Sequence, residues 1–116
     1  MSRALPKVAL AIAGAALIAA APAALAGGVD AAAAQALAKE NECFKCHTID
    51  KTKKGPSYRK IAEKNRGKAD AEAKLIKHIT TGPRVKLEDG TEEDHKIIET
   101  KDDAEIKNLV HWILSL

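Results

Sequence analysis

The only two cysteines of the chain lie three residues apart, and a histidine directly follows the second one, in the segment Cys43-Phe44-Lys45-Cys46-His47. C-x-x-C-H is the pattern that attaches a c-type haem. The two thiols add to the two vinyl groups of the porphyrin, and the histidine ligates the iron from one face. A chain with this segment is expected to fold around a large, flat, apolar group held by covalent bonds.

Two other interpretations of the cysteine pair are a redox-active dithiol and half of a zinc site. A thioredoxin-like dithiol requires a βαβ context, whereas the flanking sequence is typical of helices. A four-ligand structural zinc site usually has a second Cys or His pair at short spacing, but the other three histidines are scattered singly. Haem attachment is therefore the favoured interpretation.

Residues 1–26 have the features of a secretory signal peptide. Two basic residues precede an apolar run over residues 8–20, and Ala24-Leu25-Ala26 forms an A-x-A cleavage motif. An uncleaved membrane anchor is the alternative, but the run is short, rich in alanine and followed by Pro22. We therefore expect export to the bacterial periplasm, where C-x-x-C-H segments receive haem. The mature domain is then residues 27–116, with no membrane span.

The mature domain is small and almost lacks aromatic side chains. Phe44, Tyr58 and Trp112 are the only three aromatic residues. A core made from protein alone is marginal at about 90 residues. A buried haem would supply the apolar body that this composition lacks.

The hydrophobic pattern and helix-capping residues predict an all-α fold of about four helices. The first predicted helix covers Ala31–Glu42 and is capped by Asp30, and a short second one lies near Tyr58–Asn65. The third runs from Asp70 to Gly82-Pro83, with an apolar face of Leu75, Ile76 and Ile79. The last begins after a capping box of Asp102 and Glu105, and its apolar stripe is Ile106, Leu109, Val110 and Ile113. Val85–Lys101 is predicted to be a long loop, and loops of that length are usually functional.

With these features, residues 27–116 resemble the small bacterial class I cytochromes c. Gly55-Pro56 is similar to the Gly-Pro of that family, whose proline carbonyl accepts the imidazole N–H of the proximal histidine. Tyr58 matches an aromatic position just behind it. Trp112-Ile113-Leu114 resembles the C-terminal Trp-Ile-Leu that packs on the first helix near the haem edge. The resemblance implies a small cytochrome c fold with one covalently bound haem c and His47 as proximal ligand.

The chain departs from the family at the distal ligand, which is usually a methionine in the long loop. Its only methionine is Met1, within the proposed signal peptide. His95 lies in that loop, 48 residues after His47 and 17 before Trp112, close to where the family's methionine falls. We therefore predict His95 as the sixth ligand and a bis-histidine haem.

Several other residues compete with this assignment. The resemblance places His78 near a haem propionate, so a polar contact with that carboxylate is its expected role and distal ligation a secondary one. His111 lies off the apolar stripe of the last helix and is expected at the surface. If His95 is only an exposed loop residue, the iron is open or bound by Lys86 or Lys96.

Charge along the chain is uneven. Without Arg3 and Lys7, 17 of the 19 basic residues remain against 16 acidic ones. The basic residues dominate from Lys45 to Arg84, and five acidic residues follow within residues 88–94. Such runs are often only solvated faces, but they can also steer a redox partner. Nucleic-acid binding is not expected, because no recognition motif or aromatic platform accompanies the basic residues.

The function expected from these features is that of a periplasmic, monomeric, single-haem electron carrier of low potential, and not of an enzyme. The basic side chains around the predicted haem edge form its expected docking face for an acidic partner: Lys45, Lys51, Lys53 and Lys54. The alternative is a haem with a labile distal ligand that binds or converts nitric oxide, a sulfur compound or peroxide. Arg84 is the one candidate for distal acid–base chemistry there.

Overall fold

The computed structural model describes residues 2–6, 9, 11–16 and 28–116. The cleavage motif at 24–26 and much of the predicted signal peptide lie outside these residues. The described elements are α1 (Ala31–Glu40), a 3-10 turn (Cys43–Lys45), α2 (Tyr58–Asn65), α3 (Ala71–Thr81), β1 (Arg84–Lys86), β2 (Glu92–Asp94) and α4 (Asp103–Leu114). The prediction of an all-α fold of about four helices is confirmed. In the described part of the chain, no helix has the length and apolar character needed to cross a membrane.

Helices α1 and α4 pack closely because the buried face of α1 is made of alanine. Ala34 and Ala38 are fully buried and belong to one core cluster with Leu109 and Trp112 of α4. Small side chains let two helices approach until the large residues of one fill the space beside the other. This helix pair forms the frame on which the rest of the chain is arranged.

Helix α1 ends at Glu40, two residues earlier than predicted. The Asn41 side chain donates to the Leu37 carbonyl at 3.0 Å and accepts the Glu99 amide at 2.9 Å. Asn41 is buried, so these bonds satisfy polar atoms that could not reach water. Glu42 then takes a left-handed conformation, with φ of +59°, which turns the chain into the haem-attachment segment.

Two predicted helix caps form differently from the expectation. Asp70 stands at the cap position of α3, but its carboxylate pairs with Lys74 at 3.1 Å and makes no capping bond. Asp102 does accept backbone N–H groups of the first turn of α4. Its own amide donates to Thr100 Oγ1, which in turn donates to Glu105 Oε2. The capping box therefore closes through a threonine that the sequence pattern did not identify.

The predicted loop Val85–Lys101 contains an antiparallel hairpin, which corrects the expectation of an irregular segment. Arg84 lies opposite Asp94, and Lys86 lies opposite Glu92. Opposite charges that face each other across two strands stabilise the pairing. The strands have three residues each and expose most of their side chains, so they lack the apolar alternation that identifies strands in a sequence.

Candidate haem-binding site

A cavity of about 730 Å³ lies between the haem-attachment segment, α2, α3, the hairpin and α4. Cavities of ~300–1,000 Å³ are typical of sites that enclose a cofactor. Seven of the eight predicted site residues line it: Cys43, Cys46, His47, Pro56, Tyr58, His78 and His95. The rest of the lining includes apolar side chains that the sequence analysis did not assign to the site: Ile61, Leu75, Ile79 and Ile98. The arrangement fits a flat, largely apolar group.

His47 is fixed on one side of the cavity by a backbone carbonyl. Its Nδ1 donates to the Pro56 carbonyl oxygen at 2.7 Å, which is the contact expected from the resemblance. A Cβ atom at Gly55 would stand only 2.8 Å from Cε1 of the ring, so the absence of a side chain there permits this approach. Burial lowers the pKa of His47, although the bond to Pro56 acts in the opposite sense. The ring is therefore neutral at pH 7, with Nε2 available as a ligand.

Tyr58 supports the other side of this imidazole. The two rings stack with centroids 5.3 Å apart and an interplanar angle of 29°. Tyr58 also meets Phe44 and Trp112 edge to face, at 6.0 and 5.5 Å. Burial raises its pKa, which keeps the phenol neutral. Trp112 does not line the cavity but lies behind Tyr58 in the core that includes the alanine face of α1.

His95 lies on the opposite side of the cavity, at the end of the hairpin. Its amide donates to the Pro83 carbonyl at 2.8 Å, and its ring Nδ1 donates to the Lys96 carbonyl at 2.8 Å. The centroids of the His95 and His47 rings are 6.1 Å apart. His78 lies beside His95, with ring centroids 4.3 Å apart. Because both rings line the cavity, the structure brings together the predicted ligand and its closest competitor.

The two cysteines lie half-buried at the same cavity as free thiols. Burial raises the pKa of the Cys43 thiol, so burial favours its protonated form. Within the part of the chain that the structure describes, no group of three or more His, Cys, Asp or Glu side chains is placed to bind a metal ion. The zinc interpretation thus finds no ligand set among these residues.

The structure places Arg84 and His111 away from the cavity lining. Arg84 is exposed on β1 and lies 3.4 Å from the carboxylate of Asp94 on β2. It is therefore engaged within the hairpin and adds no acid–base group to the cavity. His111 is exposed, as predicted, and its Nε2 lies 3.0 Å from the carboxylate of Glu72 on α3.

The four lysines of the predicted docking face are exposed and lie within or shortly after the attachment segment in sequence: Lys45, Lys51, Lys53 and Lys54. Lys45 is paired with Glu42 at 2.9 Å. The ammonium of Lys53 lies 3.5 Å from the Phe44 carbonyl, which brings its charge next to the C-x-x-C-H segment. Lys53 therefore brings positive charge to the attachment side of the cavity.

Comparison with known proteins identifies the class of protein that this fold and cavity define. Residues 31–116 match the protein family described as Cytochrome c. The chain is 63% identical to the class 1 cytochrome MtoD from Sideroxydans lithotrophicus ES-1. The crystal structure of that protein superposes on this one with a TM-score of 0.73, and the match covers 76% of this chain and 97% of that chain. Cytochrome c552 of Nitrosomonas europaea superposes with a TM-score of 0.55 at 31% identity, over 70% of this chain and 96% of that chain.

Relatives matched by sequence are also bacterial cytochromes. Cytochrome c2 of Rhodocyclus tenuis is 35% identical over 82 residues, which are 70% of this chain and 89% of that protein. Cytochrome c-551 of Pseudomonas aeruginosa is 41% identical over 58 residues, half of this chain and 56% of that protein. The chain belongs to the cytochrome c family, whose members carry one covalently attached haem c and act as electron carriers rather than enzymes. The predicted fold, cofactor and class of activity are confirmed.

Proposed function

We propose that this chain is a periplasmic, monomeric, single-haem electron carrier whose iron is ligated by His47 and His95. The observation that carries the proposal is the 6.1 Å separation of the two ring centroids across the cavity. A ligating imidazole nitrogen lies ~2.0 Å from its metal, and its ring centre lies ~1.1 Å farther away, so two imidazoles facing each other across one ion have centroids ~6 Å apart. The separation in the structure matches that distance.

The hydrogen bonds of the two rings support the same ligand pair. Each Nδ1 donates to a backbone carbonyl, that of Pro56 for His47 and that of Lys96 for His95. Such a bond fixes the tautomer, so the lone pair is on Nε2, and it makes that nitrogen a stronger ligand. Among the residues that the structure describes, no comparable hydrogen bond orients His78, which supports a role beside the ligand rather than as the ligand.

Cys43 and Cys46 would hold the haem through thioether bonds. Both thiols are unpaired and line the cavity next to His47. Once bound, the haem iron supplies a one-electron ferric/ferrous couple. Pro56 and Tyr58 would hold the His47 ring in place, and the apolar side chains of the lining would limit the entry of water.

We propose a low reduction potential for this haem. A thioether ligand favours ferrous iron and raises the potential, whereas a second imidazole favours ferric iron. Axial ligands act within a range of about 0.8 V across haem proteins. The acidic strand Glu92–Asp94 precedes His95 directly, and two of its residues, Glu93 and Asp94, line the same cavity. Their negative charge would favour the ferric state as well.

Export of the chain is part of the proposal. Residues 1–26 would be removed as a signal peptide, leaving residues 27–116 as the functional domain. The helical fold is consistent with cleavage at this point, because its first cap, Asp30, follows shortly after the A-x-A motif. The sequence relatives named above are bacterial cytochromes, which supports the same compartment.

The basic residues beside the attachment segment are proposed as the docking face for an acidic redox partner. Opposite charges raise the association rate, and salt screens this effect over a Debye length of about 8 Å at physiological ionic strength. Reversing Lys53 and Lys54 to Glu should therefore slow electron transfer to the native partner at low salt and leave the potential almost unchanged. Reversal of Glu92 and Glu93 to Lys is the matched control. If only this control slows the transfer, and by more than its own shift in potential explains, the partner docks at the hairpin instead.

The ligand assignment is tested on the exported holoprotein. Its intact mass should exceed that of residues 27–116 by one haem that acid does not extract; a bare-chain mass would contradict covalent attachment. His95→Ala should convert the low-spin ferric spectrum to a high-spin or newly ligand-binding one. His78→Ala, the matched control, should retain the low-spin spectrum. If the control instead loses it while His95→Ala retains it, His78 is the sixth ligand.

A further inference from the structure

We propose that Gly82 is a positioning residue for the distal ligand. It determines how closely the segment 95–98 lies against the end of α3, and thereby the distance of His95 from the iron. This inference rests on the proposed His47 and His95 ligation. It concerns a residue outside the attachment motif and outside the ligand pair.

Gly82 ends α3 in a left-handed conformation, with φ of +61°. A Cβ atom at this position would lie 2.6 Å from the His95 carbonyl oxygen and 2.7 Å from Cγ1 of Ile97. The first of these neighbours is backbone, which cannot rotate away as the end of a side chain can. The segment that carries His95 therefore occupies space that only glycine leaves open.

Two backbone hydrogen bonds hold this segment against the end of the helix on both sides of Gly82. The His95 amide donates to the Pro83 carbonyl at 2.8 Å, and the Ile98 amide donates to the Ile79 carbonyl at 2.8 Å. The Ile79 carbonyl lies in the last turn of α3, where no later N–H of the helix can donate a hydrogen bond to it. The segment thus satisfies the helix end, and the close approach permitted by Gly82 keeps both bonds short.

The backbone position of His95 determines where its ring lies. Because Nδ1 donates to the Lys96 carbonyl, the imidazole is tied to the backbone on its own segment and moves with it. Ordinary contact with a Cβ begins at 3.4 Å, so a side chain at Gly82 would displace the His95 carbonyl by about 0.8 Å. Metal sites tolerate deviations of about ±0.2 Å in ligand distance. A side chain at this position would therefore weaken the distal bond.

The test compares Gly82→Asn with Gly67→Asn in the haem-loaded protein. Asparagine tolerates the left-handed conformation, so it reduces the backbone cost while still introducing a Cβ. Gly67 also has positive φ, +77°, but nothing lies within 4 Å of a Cβ built there. We expect carbon monoxide to bind the ferrous Gly82→Asn protein about tenfold more tightly than wild type, equivalent to ~1.4 kcal/mol. Gly67→Asn should bind it as wild type does.

The outcomes separate this inference from the ligand assignment. If His95→Ala opens the iron to carbon monoxide but Gly82→Asn behaves like Gly67→Asn, the ligation is correct and the positioning role is refuted. If His95→Ala leaves the iron closed, the ligand assignment itself fails.

A measurement on the wild-type ferrous protein does not depend on the variant folding. The amides of His95 and Ile98 should exchange with solvent at least tenfold more slowly than that of exposed Lys101. Exchange at equal rates would show that the segment is not held against α3, which overturns the proposal.

Discussion

Gly55→Ala should raise the reduction potential, because it disturbs the hydrogen bond that orients the imidazole of His47, the proposed proximal ligand. The new Cβ would lie 2.8 Å from Cε1 and 3.2 Å from Nδ1 of His47. The ring cannot retreat freely, since Tyr58 stacks on it at 5.3 Å. It must therefore shift relative to the Pro56 carbonyl, which accepts its N–H at 2.7 Å.

The size of this effect follows from the strength of that hydrogen bond. A hydrogen bond of this kind contributes about 0.5–1.5 kcal/mol, and it favours ferric iron by making the imidazole a stronger donor. For a one-electron couple ~59 mV corresponds to a factor of ten, or ~1.4 kcal/mol. Only the part of this energy that differs between the ferric and ferrous states moves the potential, so loss of the bond should raise the potential by at most roughly 60 mV.

The assay is a spectroelectrochemical titration of wild type and variant, with Gly28→Ala as the control. A Cβ at Gly28 meets nothing within 4 Å, so its potential should equal that of the wild type. An unchanged potential in Gly55→Ala would refute the role assigned to the Pro56 contact. A lowered potential would mean that the bond has become stronger, which contradicts the geometry.

Two further predictions concern stability. Asn108 bridges the start of the domain to α4, because its side chain accepts a hydrogen bond from the Asp30 amide and donates one to the Asp30 carbonyl, both at 2.9 Å. Loss of the two bonds in Asn108→Ala should lower the free energy of unfolding by about 1–3 kcal/mol. An unchanged denaturant midpoint would contradict this. Bonds from the Thr91 hydroxyl and amide lower the pKa of Asp89. These bonds therefore stabilise the fold above the pKa of ~3.9 that the Asp89 carboxyl has in the unfolded chain, and the stabilisation is lost as pH falls through its lower pKa in the folded protein. The difference in free energy of unfolding between wild type and Asp89→Ala should thus shrink below about pH 4. A difference that grew there would contradict the assignment.

The sequence predicted the helical frame because each helix carries its own local signals. Caps, apolar periodicity and terminating glycines located α2, α3 and α4 within a residue or two. Helix α1 ended early because Asn41 bonds to Glu99, a partner 58 residues away. Local patterns contain no information about such a contact.

The candidate site was predictable where a motif or a family pattern specifies it, and less so elsewhere. The attachment segment and Pro56 lie at the cavity as expected. The hairpin was missed because three-residue strands are held by charge pairs and a turn rather than by an apolar face. The crowding at Gly82 depends on how the segment after the hairpin returns to α3, which only the tertiary structure reveals.

The measurement that tests the central claim most directly is paramagnetic NMR of the ferric holoprotein with nitrogen-15 in its histidines. Iron shifts strongly only the imidazoles bound to it. The proposed ligation predicts two strongly shifted imidazoles, one of which disappears in His95→Ala. A single shifted imidazole in the wild type, or two that both persist in His95→Ala, would contradict the assignment of His47 and His95 as the ligand pair.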